Sequence, residues 1–454
     1  MNRPGSRDRN GVSRRKFLAM ASAAGVLPIV LEACSSSSST SGASTSGGSG
    51  ATGTIEFWDG EVGTGQLNTE AKTLTDAFKF GKITGTYDLL TGNLYEVIEA
   101  ALAANKGPAV AGGYAYQAFQ FADQGDIHYA DNVVAKMQAN GQYADYLDGL
   151  FTPLKTSKGY VGIPYGVDTR ALWYNKSLLA KAGAAVPTDW PSFLAAAKAL
   201  KKIGVYGYVT AAASSNSAYG THTLASFMIN NGGGMFDEAG NVDCLYDRNV
   251  EAIDFLLELV QGGYVDPGSV SYIDTDVYSE LKAGRAGMAL ANPTIPQECG
   301  TDPVTGDLVV MSPLAGPHGD KGTIQYLKNY QMYTRTPSIA ASEDFLLWWN
   351  QQFVGAKGFY AQGITAAVPI RKSAIALPQV QANPQLVKII NEWVPVAKAE
   401  SARSPVIFSG LATVDNGTAM VQCIQSILGG KVTAKDALTT LQSGIQNYGI
   451  SYKA

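Results

Sequence analysis

The chain has 454 residues, of which 46% are hydrophobic and 16% charged, enough for two domains with their own buried cores. It carries 34 Lys and Arg against 38 Asp and Glu. The first 33 residues hold six basic and two acidic side chains, which leaves 28 against 36 and a net charge of −8 for the remainder. This acidic balance excludes nucleic acid and anionic lipid surfaces as the main partner.

The N-terminal segment has the pattern of an export signal. Arg14 and Arg15 form the pair of a twin-arginine signal, and the apolar residues 17–31 are too few to span a bilayer permanently. The sequence LEAC at 31–34 then matches a bacterial lipoprotein cleavage site, in which Cys34 receives the lipid. The alternative is a general secretory signal followed by an incidental cysteine.

The segment after Cys34 is almost purely Ser, Gly, Thr and Ala, a composition that cannot bury a core and behaves as a flexible tether. We therefore predict a signal peptide over residues 1–33 and a tether over residues 34–53. The protein is expected to be held by its lipid on the outer face of the bacterial cytoplasmic membrane.

Beyond the tether, hydrophobic spacings typical of strands alternate with spacings typical of helices, which predicts one α/β assembly with mostly parallel sheets. Strands are predicted at residues 54–58, 159–164, 171–174 and 287–291, with a strand and a helix over 109–123. Helices are predicted at residues 68–80, 95–104, 191–202, 221–230, 249–261, 278–283, 342–352 and 433–448.

Polar residues mark where two of the helices begin. Asn175 or Ser177 can accept hydrogen bonds from the free N–H groups of the helix that follows. Thr188 is predicted to cap the helix announced by Trp190 and Pro191, since proline is tolerated in the first turn.

Three cysteines follow Cys34, and their spacing matches no zinc pattern. An extracytoplasmic setting permits a disulfide, and the pairing predicted is Cys244 with Cys299. The alternative is three buried free thiols, with Cys423 as the third.

A series of short motifs runs through the body of the chain. They are GYVGIPY at 159–165, LWYNKSLL at 172–179, AG at 182–183, PTDW at 187–190, AKAL at 197–200, NGG at 231–233, GRAGM at 284–288, LAGP at 314–317 and VPIR at 368–371. In this order and spacing the set resembles family 1 of the extracellular solute-binding proteins of ABC importers, the family of the maltose-binding protein.

The resemblance implies a type II periplasmic-binding-protein fold, in which two α/β lobes with mostly parallel sheets enclose a ligand cleft. Three hinge crossings are expected near residues 167–170, 326–330 and 365–371. The N-lobe is then expected to comprise 54–166 and 327–370, and the C-lobe 167–326 and 371–454.

The resemblance also nominates residues for the cleft. Sugar sites combine aromatic faces with carboxylates and amides that pair with hydroxyl groups, and 23 Tyr and 6 Trp are available here. Asp168 stands where the family often keeps an acidic cleft residue, although pairing with Arg170 is an alternative role for it. The candidate ligand-binding residues are Asp59, Glu61, Tyr114, Tyr116, Gln117, Asp168, Tyr219, His222, Asn292, Asn329, Tyr330, Arg371, Asp415 and Asn416.

The expected function is capture of a mono- or oligosaccharide for an ABC importer, by a monomer without cofactor, metal or catalysis. A phosphorylated or otherwise anionic solute would require several Arg or Lys in the cleft, whereas the candidates are mostly acids and tyrosines. A tyrosine-rich iron site is a further alternative. A lipid-anchored glycoside hydrolase with paired carboxylates is the alternative from another class.

Overall fold

The first strand begins at Thr52, two residues before its predicted start, and alternates buried and exposed side chains. The computed structural model describes residues 51–60, 65–90, 94–214, 217–363 and 367–450. The predicted signal peptide, the lipid-bearing Cys34 and the candidate Glu61 lie outside these ranges.

Within these ranges, twelve strands form two separate sheets. The strands are β1 (Thr52–Asp59), β2 (Lys79–Phe80), β3 (Lys82–Leu89), β4 (Val110–Tyr114), β5 (Ile127–His128), β6 (Ile163–Thr169), β7 (Ala171–Asn175), β8 (Tyr206–Tyr208), β9 (Ala286–Ala291), β10 (Leu308–Val310), β11 (Thr323–Tyr333) and β12 (Ala397–Lys398). The first sheet has the order β12-β11-β4-β1-β3-β2, with β5 and β6 also paired to β11. The second has the order β10-β7-β9-β8.

Helices cover both sheets. They are α1 (Gly65–Ala77), α2 (Leu94–Ala103), α3 (Ala115–Gln124), α4 (Asp131–Ala139), α5 (Lys176–Ala182), α6 (Trp190–Lys202), α7 (Tyr219–Asn230), α8 (Asp247–Gln261), α9 (Asp274–Lys282), α10 (Ile295–Glu298), α11 (Ile339–Gln351), α12 (Phe359–Gln362), α13 (Lys372–Ile375), α14 (Pro378–Gln381), α15 (Pro384–Lys388), α16 (Gly410–Asn416), α17 (Ala419–Leu428) and α18 (Ala434–Gln446). Of the helices in the described ranges, none is long and apolar enough to cross a membrane.

The two-lobed α/β architecture is confirmed, but the prediction of mostly parallel sheets is wrong. β1 runs parallel to β3 and β4, as strands joined by crossover helices do. β11 instead runs antiparallel to β4, β5 and β6, and β7 runs antiparallel to β9 and β10. Both sheets are therefore mixed. β11 and β7, which lie next to the junction between the sheets, run antiparallel to neighbouring strands of their sheets.

Each lobe has an aromatic core of its own. In the first, Phe57 of β1 packs edge-on against Trp349 of α11, with ring centroids 4.9 Å apart. In the second, Trp190 of α6 stacks on Phe255 of α8 at 4.6 Å. These desolvated rings bury large apolar areas, so each lobe can be stable as a rigid body.

Most predicted elements are confirmed to within a few residues, with two exceptions. Phe80, predicted at the end of a helix, lies in β2, because α1 ends at Ala77. Residues 166–170, predicted as a connection between strands, mostly belong to β6, which pairs with β11 as far as Thr169. The predicted lobe boundaries at 166/167 and 326/327 therefore fall inside β6 and β11.

The helix caps follow from short polar side chains. Asn175 Oδ1 accepts from Leu178 N at 3.0 Å, which confirms its predicted role. The prediction for Thr188 is wrong: Asp189 caps α6 and accepts from Ser192 N at 2.8 Å. The Ser192 hydroxyl reaches back to the Asp189 N–H, so the chain forms a capping box one residue later than expected.

The three cysteines of the body are free and buried, so the predicted disulfide is wrong and the alternative of three thiols is confirmed. Cys244 Sγ lies 3.8 Å from the Met235 carbonyl oxygen, whereas Cys299 Sγ lies 3.6 Å from that of Tyr278. Each sulfur thus has its own buried site.

Candidate functional site

The chain passes from the first sheet to the second through a single residue. β6 ends in the first sheet at Thr169 and β7 begins in the second at Ala171, so Arg170 is the one residue between these two strands. β11 lies beside β6 in antiparallel register and places Tyr326 opposite Asp168. A cluster of charged and aromatic side chains occupies this junction.

An ion pair and a histidine form the charged part of the cluster. Arg170 Nη1 donates to Asp168 Oδ1, and Arg170 Nε donates to His222 Nδ1 at 2.7 Å. Arg170 and His222 are both buried. Because Nδ1 accepts this bond, the imidazole is held in its neutral form.

The electrostatics of these groups agree with that assignment. Burial and the neighbouring Arg170 cation hold the pKa of His222 well below its ordinary value. Burial alone would raise the pKa of Asp168, but the charges of Arg170 and Lys328 outweigh it and the pKa is lowered. The site therefore contains an ionised Asp168–Arg170 pair and a neutral imidazole at neutral pH.

Three tyrosines form the aromatic part of the cluster. The Tyr114 and Tyr116 rings stack with centroids 5.7 Å apart and an interplanar angle of 22°. Tyr326 lies 5.3 Å from Tyr114 and 6.2 Å from Tyr116. Tyr116 and Tyr326 are buried, whereas Tyr114 is half-buried. Tyr114 is thus the ring of the three with the most accessible surface for another molecule.

The backbone around Tyr114 fixes the direction of its ring. The Tyr114 N–H donates to Gln117 Oε1 at 2.9 Å, which closes the first turn of α3. A Cβ atom on Gly113 would stand 2.7 Å from that same oxygen. A larger residue at Gly113 would therefore displace the end of the Gln117 side chain from the Tyr114 N–H.

Two carboxyl groups lie behind the tyrosines. Tyr116 Oη donates to Asp415 Oδ2 at 2.5 Å. Tyr326 Oη donates to Glu400 Oε1 at 3.0 Å and lies 3.4 Å from Asp415 Oδ1. Glu400 is only 3% exposed, and burial, followed by the nearby Asp415 charge, raises its pKa well above the ordinary value.

The start of α7 closes the cluster on the side of the second lobe. The Asp274 carboxylate accepts from the backbone N–H of Ala218 and Tyr219 at 3.0 and 3.2 Å. The hydroxyl groups of Tyr219 and Tyr278 are 3.0 Å apart. Arg170 lies 5.9 Å above the Tyr219 ring, which joins this side to the ion pair.

Several sequence-predicted candidates therefore meet in one place. Arg170 and Tyr326 link them through the contacts described above, and Gln117 accepts a hydrogen bond from the backbone N–H of Tyr114. The candidates brought together are Tyr114, Tyr116, Asp168, Tyr219, His222 and Asp415, with Gln117 beside Tyr114.

Three further candidates are buried in the first lobe. Asp59 is fully buried at the end of β1, where its Oδ1 atom would stand 3.1 Å from a Cβ on Gly112. Asn329 is also fully buried and donates to the Gly113 carbonyl. The Tyr330 ring stacks on Tyr165 at 4.2 Å inside the aromatic core.

The remaining candidates have local partners elsewhere. Asn292 Oδ1 accepts from Thr294 N at 3.2 Å, next to the start of α10. Arg371 Nε donates to Asp145 Oδ2 at 2.8 Å, which ties the loop before α13 to the first lobe. Asn416 is exposed at the end of α16.

Six residues of the cluster were absent from the sequence-based candidates: Arg170, Tyr326, Lys328, Glu400, Asp274 and Tyr278. Tyr326 and Lys328 alternate on a strand predicted to cross between the lobes, so they share a face, and that signal was available. Glu400 carries no local motif, because only tertiary folding brings it to Asp415.

Two open grooves lie away from this cluster. A groove of about 1230 Å³ includes Gln325 and Leu327 of β11, together with residues 147–150 and 403–405. Because side chains alternate along a strand, this groove lies on the face of β11 opposite to Tyr326. A second groove, of about 850 Å³, lies between the end of α3 and residues 406–410.

The cluster presents groups that can contact a polar molecule: an aromatic face at Tyr114, the ionised carboxylate of Asp168 and tyrosine hydroxyl groups that take part in hydrogen bonds. Within the described ranges, no group of three His, Cys, Asp or Glu side chains is arranged to hold a metal ion.

Comparison with known proteins supports this reading. The sequence profile described as "Bacterial extracellular solute-binding protein" matches residues 48–351. A sugar transporter of Arthrobacter chlorophenolicus A6, whose crystal structure contains laminaribiose, is 41% identical. The alignment covers 88% of this chain and 100% of that one, with a TM-score of 0.81.

More distant proteins share the fold. The maltose-bound MalE3 of T. maritima is 17% identical, with a TM-score of 0.72 over 87% of this chain and 100% of that one. A putative binding protein of Brucella abortus (strain 2308) is 24% identical over 47% of this chain and 53% of its own length. The chain thus spans about half the length of the curated relatives it matches.

Proposed function

Because this chain belongs to the family of bacterial extracellular solute-binding proteins, we propose that it captures a neutral saccharide outside the cell and delivers it to the permease of an ABC importer. The observation that carries the proposal is the aromatic and charged cluster at the junction of the two sheets. A half-buried Tyr114 offers a face for the C–H groups of a sugar ring, and Asp168, on the strand at the other side of β11, can accept from hydroxyl groups.

The position of the cluster suits a binding protein that closes. Asp168 and Tyr326 lie on strands next to the single-residue connection at Arg170. Tyr116 belongs to the helix after β4, whereas Asp415 lies on α16 of the C-terminal segment. A sugar that contacts both sides at once would shift the population towards the closed form.

The charge balance favours a neutral ligand over an anion. The guanidinium of Arg170 already serves Asp168 and His222, so a phosphate would have to compete with a buried carboxylate for it. The ammonium of Lys328 lies 5.6 Å from the Tyr114 ring and lowers the pKa of Asp168. An incoming anion would also face the charge of Asp415.

We propose binding without chemical change of the sugar. The carboxyl pair of Glu400 and Asp415 is engaged by tyrosine hydroxyl groups, and Glu400 is buried beyond the reach of a glycosidic bond. This arrangement supports a structural role for the pair rather than the flanking geometry of a glycosidase.

The expected cellular setting completes the proposal. The protein acts as a monomer on the outer face of the cytoplasmic membrane, anchored by a lipid on Cys34 after removal of residues 1–33. The support for this part is the signal and cleavage pattern in the sequence.

A thermal-shift panel tests the proposal. The panel contains laminaribiose, maltose and other neutral saccharides, with glycerol phosphate as the anionic member. A saccharide at about one hundred times its Kd should stabilise the protein by about 2.7 kcal/mol. Stabilisation by glycerol phosphate alone would favour the anion, and recovery of a cleaved sugar after long incubation would place the protein among the hydrolases.

A further inference from the structure

The Glu400–Asp415 pair has an unusual hydrogen-bond arrangement. The Tyr326 hydroxyl lies within 3.4 Å of an oxygen of each carboxyl group, so the two groups are close neighbours. Asp415 accepts from Tyr116 as well. Two charged carboxylates at this separation, one of them almost fully buried, would repel each other strongly.

One oxygen of the pair has no donor. Glu400 Oε2 is buried and accepts no hydrogen bond from any residue of the described part of the chain. A buried carboxylate oxygen without a donor is costly, but a protonated one becomes a donor itself. The charge of Asp415 adds to burial in raising the pKa of Glu400, in keeping with a proton at this position.

The pair also joins the two lobes. Tyr116 lies on α3, which follows β4 of the first sheet. Asp415 lies on α16, which packs on α3 and is followed directly by α17, and α17 packs on α7 and α8 of the second lobe. The Tyr116–Asp415 hydrogen bond therefore joins the first lobe to the C-terminal segment that continues into the second lobe.

We propose that Glu400 holds a proton beside Asp415 and that the two side chains form a pH-sensitive latch that holds the two lobes together. The latch rests on the proposed function, since it acts on the closure that captures a saccharide. In the open form water reaches Glu400, its carboxyl group ionises, and the latch is lost. Closure then requires uptake of one proton by Glu400.

Among the groups around the pair, Glu400 is the one that we expect to change its charge between about pH 5 and 8. Its carboxyl faces Asp415 and Tyr326 directly. The pKa of His222, whose ring lies 5.1 Å from Tyr326, is lowered, so the imidazole stays neutral between about pH 5 and 8. The other titratable groups near the pair are the phenol of Tyr116 and the guanidinium of Arg170. The pKa of each is raised above its ordinary value, so neither changes its charge in this range.

The direction of the pH effect follows from this proton. The pKa of Glu400 is raised in the closed form and falls towards its ordinary 4.5 when the lobes separate. Below that ordinary value both forms are protonated and the latch is intact. As the pH rises from 4.5 to the raised pKa of Glu400, the equilibrium constant for closure of the lobes falls by up to about tenfold per pH unit.

Two measurements test the latch, one with a saccharide and one without. Calorimetric titration of laminaribiose at about pH 6, in buffers of different ionisation enthalpy, counts the protons taken up on binding. The wild type should take up more protons on binding than Glu400→Gln. The amide introduced by Glu400→Gln can donate to Asp415 and accept from Tyr326 as the protonated acid does.

The second measurement needs no sugar. In a Cys34→Ala background, spin labels on cysteines introduced at the exposed positions Lys79 and Lys198, one in each lobe, report the lobe separation. The remaining native cysteines are buried and should not be labelled. The short-distance population should be larger at about pH 5 than at about pH 8 in the wild type and independent of pH in Glu400→Gln.

The control is Glu258→Gln, which removes an exposed carboxyl group on α8 and should behave as the wild type. Equal pH dependence of lobe separation in the wild type and Glu400→Gln would overturn the latch. If the label distances follow the prediction but no saccharide binds, the latch stands and the proposed function fails.

Discussion

Removing Asp168 should destabilise the protein even without any sugar. Its carboxylate neutralises Arg170, whose side chain is 8% exposed, while Asp168 itself is 14% exposed. Breaking a buried pair by deleting one partner leaves an uncompensated charge and costs about 3–5 kcal/mol. Lys328 lies close enough to shift the pKa of Asp168, so Asp168→Ala also leaves two cations facing each other. We expect a loss of about 3 kcal/mol in the free energy of unfolding.

Urea unfolding followed by tryptophan fluorescence measures this loss. The exposed Lys72–Asp76 pair supplies the control, because Asp76→Ala should cost no more than about 0.5 kcal/mol. The double variant Asp168→Ala/Arg170→Met should lose less than Asp168→Ala alone, since it removes both charges. If the free energy of unfolding of Asp168→Ala lies within about 0.5 kcal/mol of that of the wild type, the ion pair of Asp168 with Arg170 does not stabilise the fold.

The same prediction has a pH signature. The pKa of Asp168 is lowered in the folded protein, so its contribution is present above the ordinary value of 3.8 and is lost as the pH falls through the lowered pKa. The stability difference between wild type and Asp168→Ala should therefore persist at neutral pH and shrink in strong acid. A difference that grows on acidification would contradict the assigned sign.

Three further outcomes are expected. Tyr114→Ala should weaken binding of a stabilising saccharide roughly tenfold in a calorimetric titration, because a stacking face worth about 1–2 kcal/mol is lost; unchanged affinity would remove Tyr114 from the site. Cells fed labelled fatty acid should label the wild type but not Cys34→Ala, and equal labelling of the two would exclude lipidation at Cys34. The Cys34→Ala protein retains three buried thiols, those of Cys244, Cys299 and Cys423. A thiol reagent at about pH 8 should react with all three after unfolding and with almost none before, because burial raises the pKa of Cys299 and Cys423 to about 12. Rapid reaction of the folded protein would contradict their burial.

The fold was predicted well because its signals in the sequence are local. The hydrophobic spacing of α6 and the polar residue before it placed the helix to within one residue. Strand direction was harder, because antiparallel pairing of β11 with β6 joins residues about 160 positions apart, Tyr326 with Asp168 among them. No local pattern in the sequence of β11 shows that this strand runs antiparallel to its neighbours rather than parallel to them.

The candidate site was predicted in part for the same reason. Asp168 and Tyr114 were nominated by the family resemblance, and both lie close to strand ends, Asp168 in β6 and Tyr114 in β4. Tyr330 was misleading because it is adjacent to the crossing in sequence, yet its ring points into the core and stacks on Tyr165. Glu400 became visible only through its contact with Tyr326, 74 residues away in the chain.

A crystal structure of the protein with the saccharide that stabilises it most tests the central claim directly. The sugar should lie against the Tyr114 ring, with a hydroxyl group within hydrogen-bonding distance of Asp168. A sugar bound instead in the groove beside Gln325 and Leu327, on the opposite face of β11, would contradict the assignment of the site.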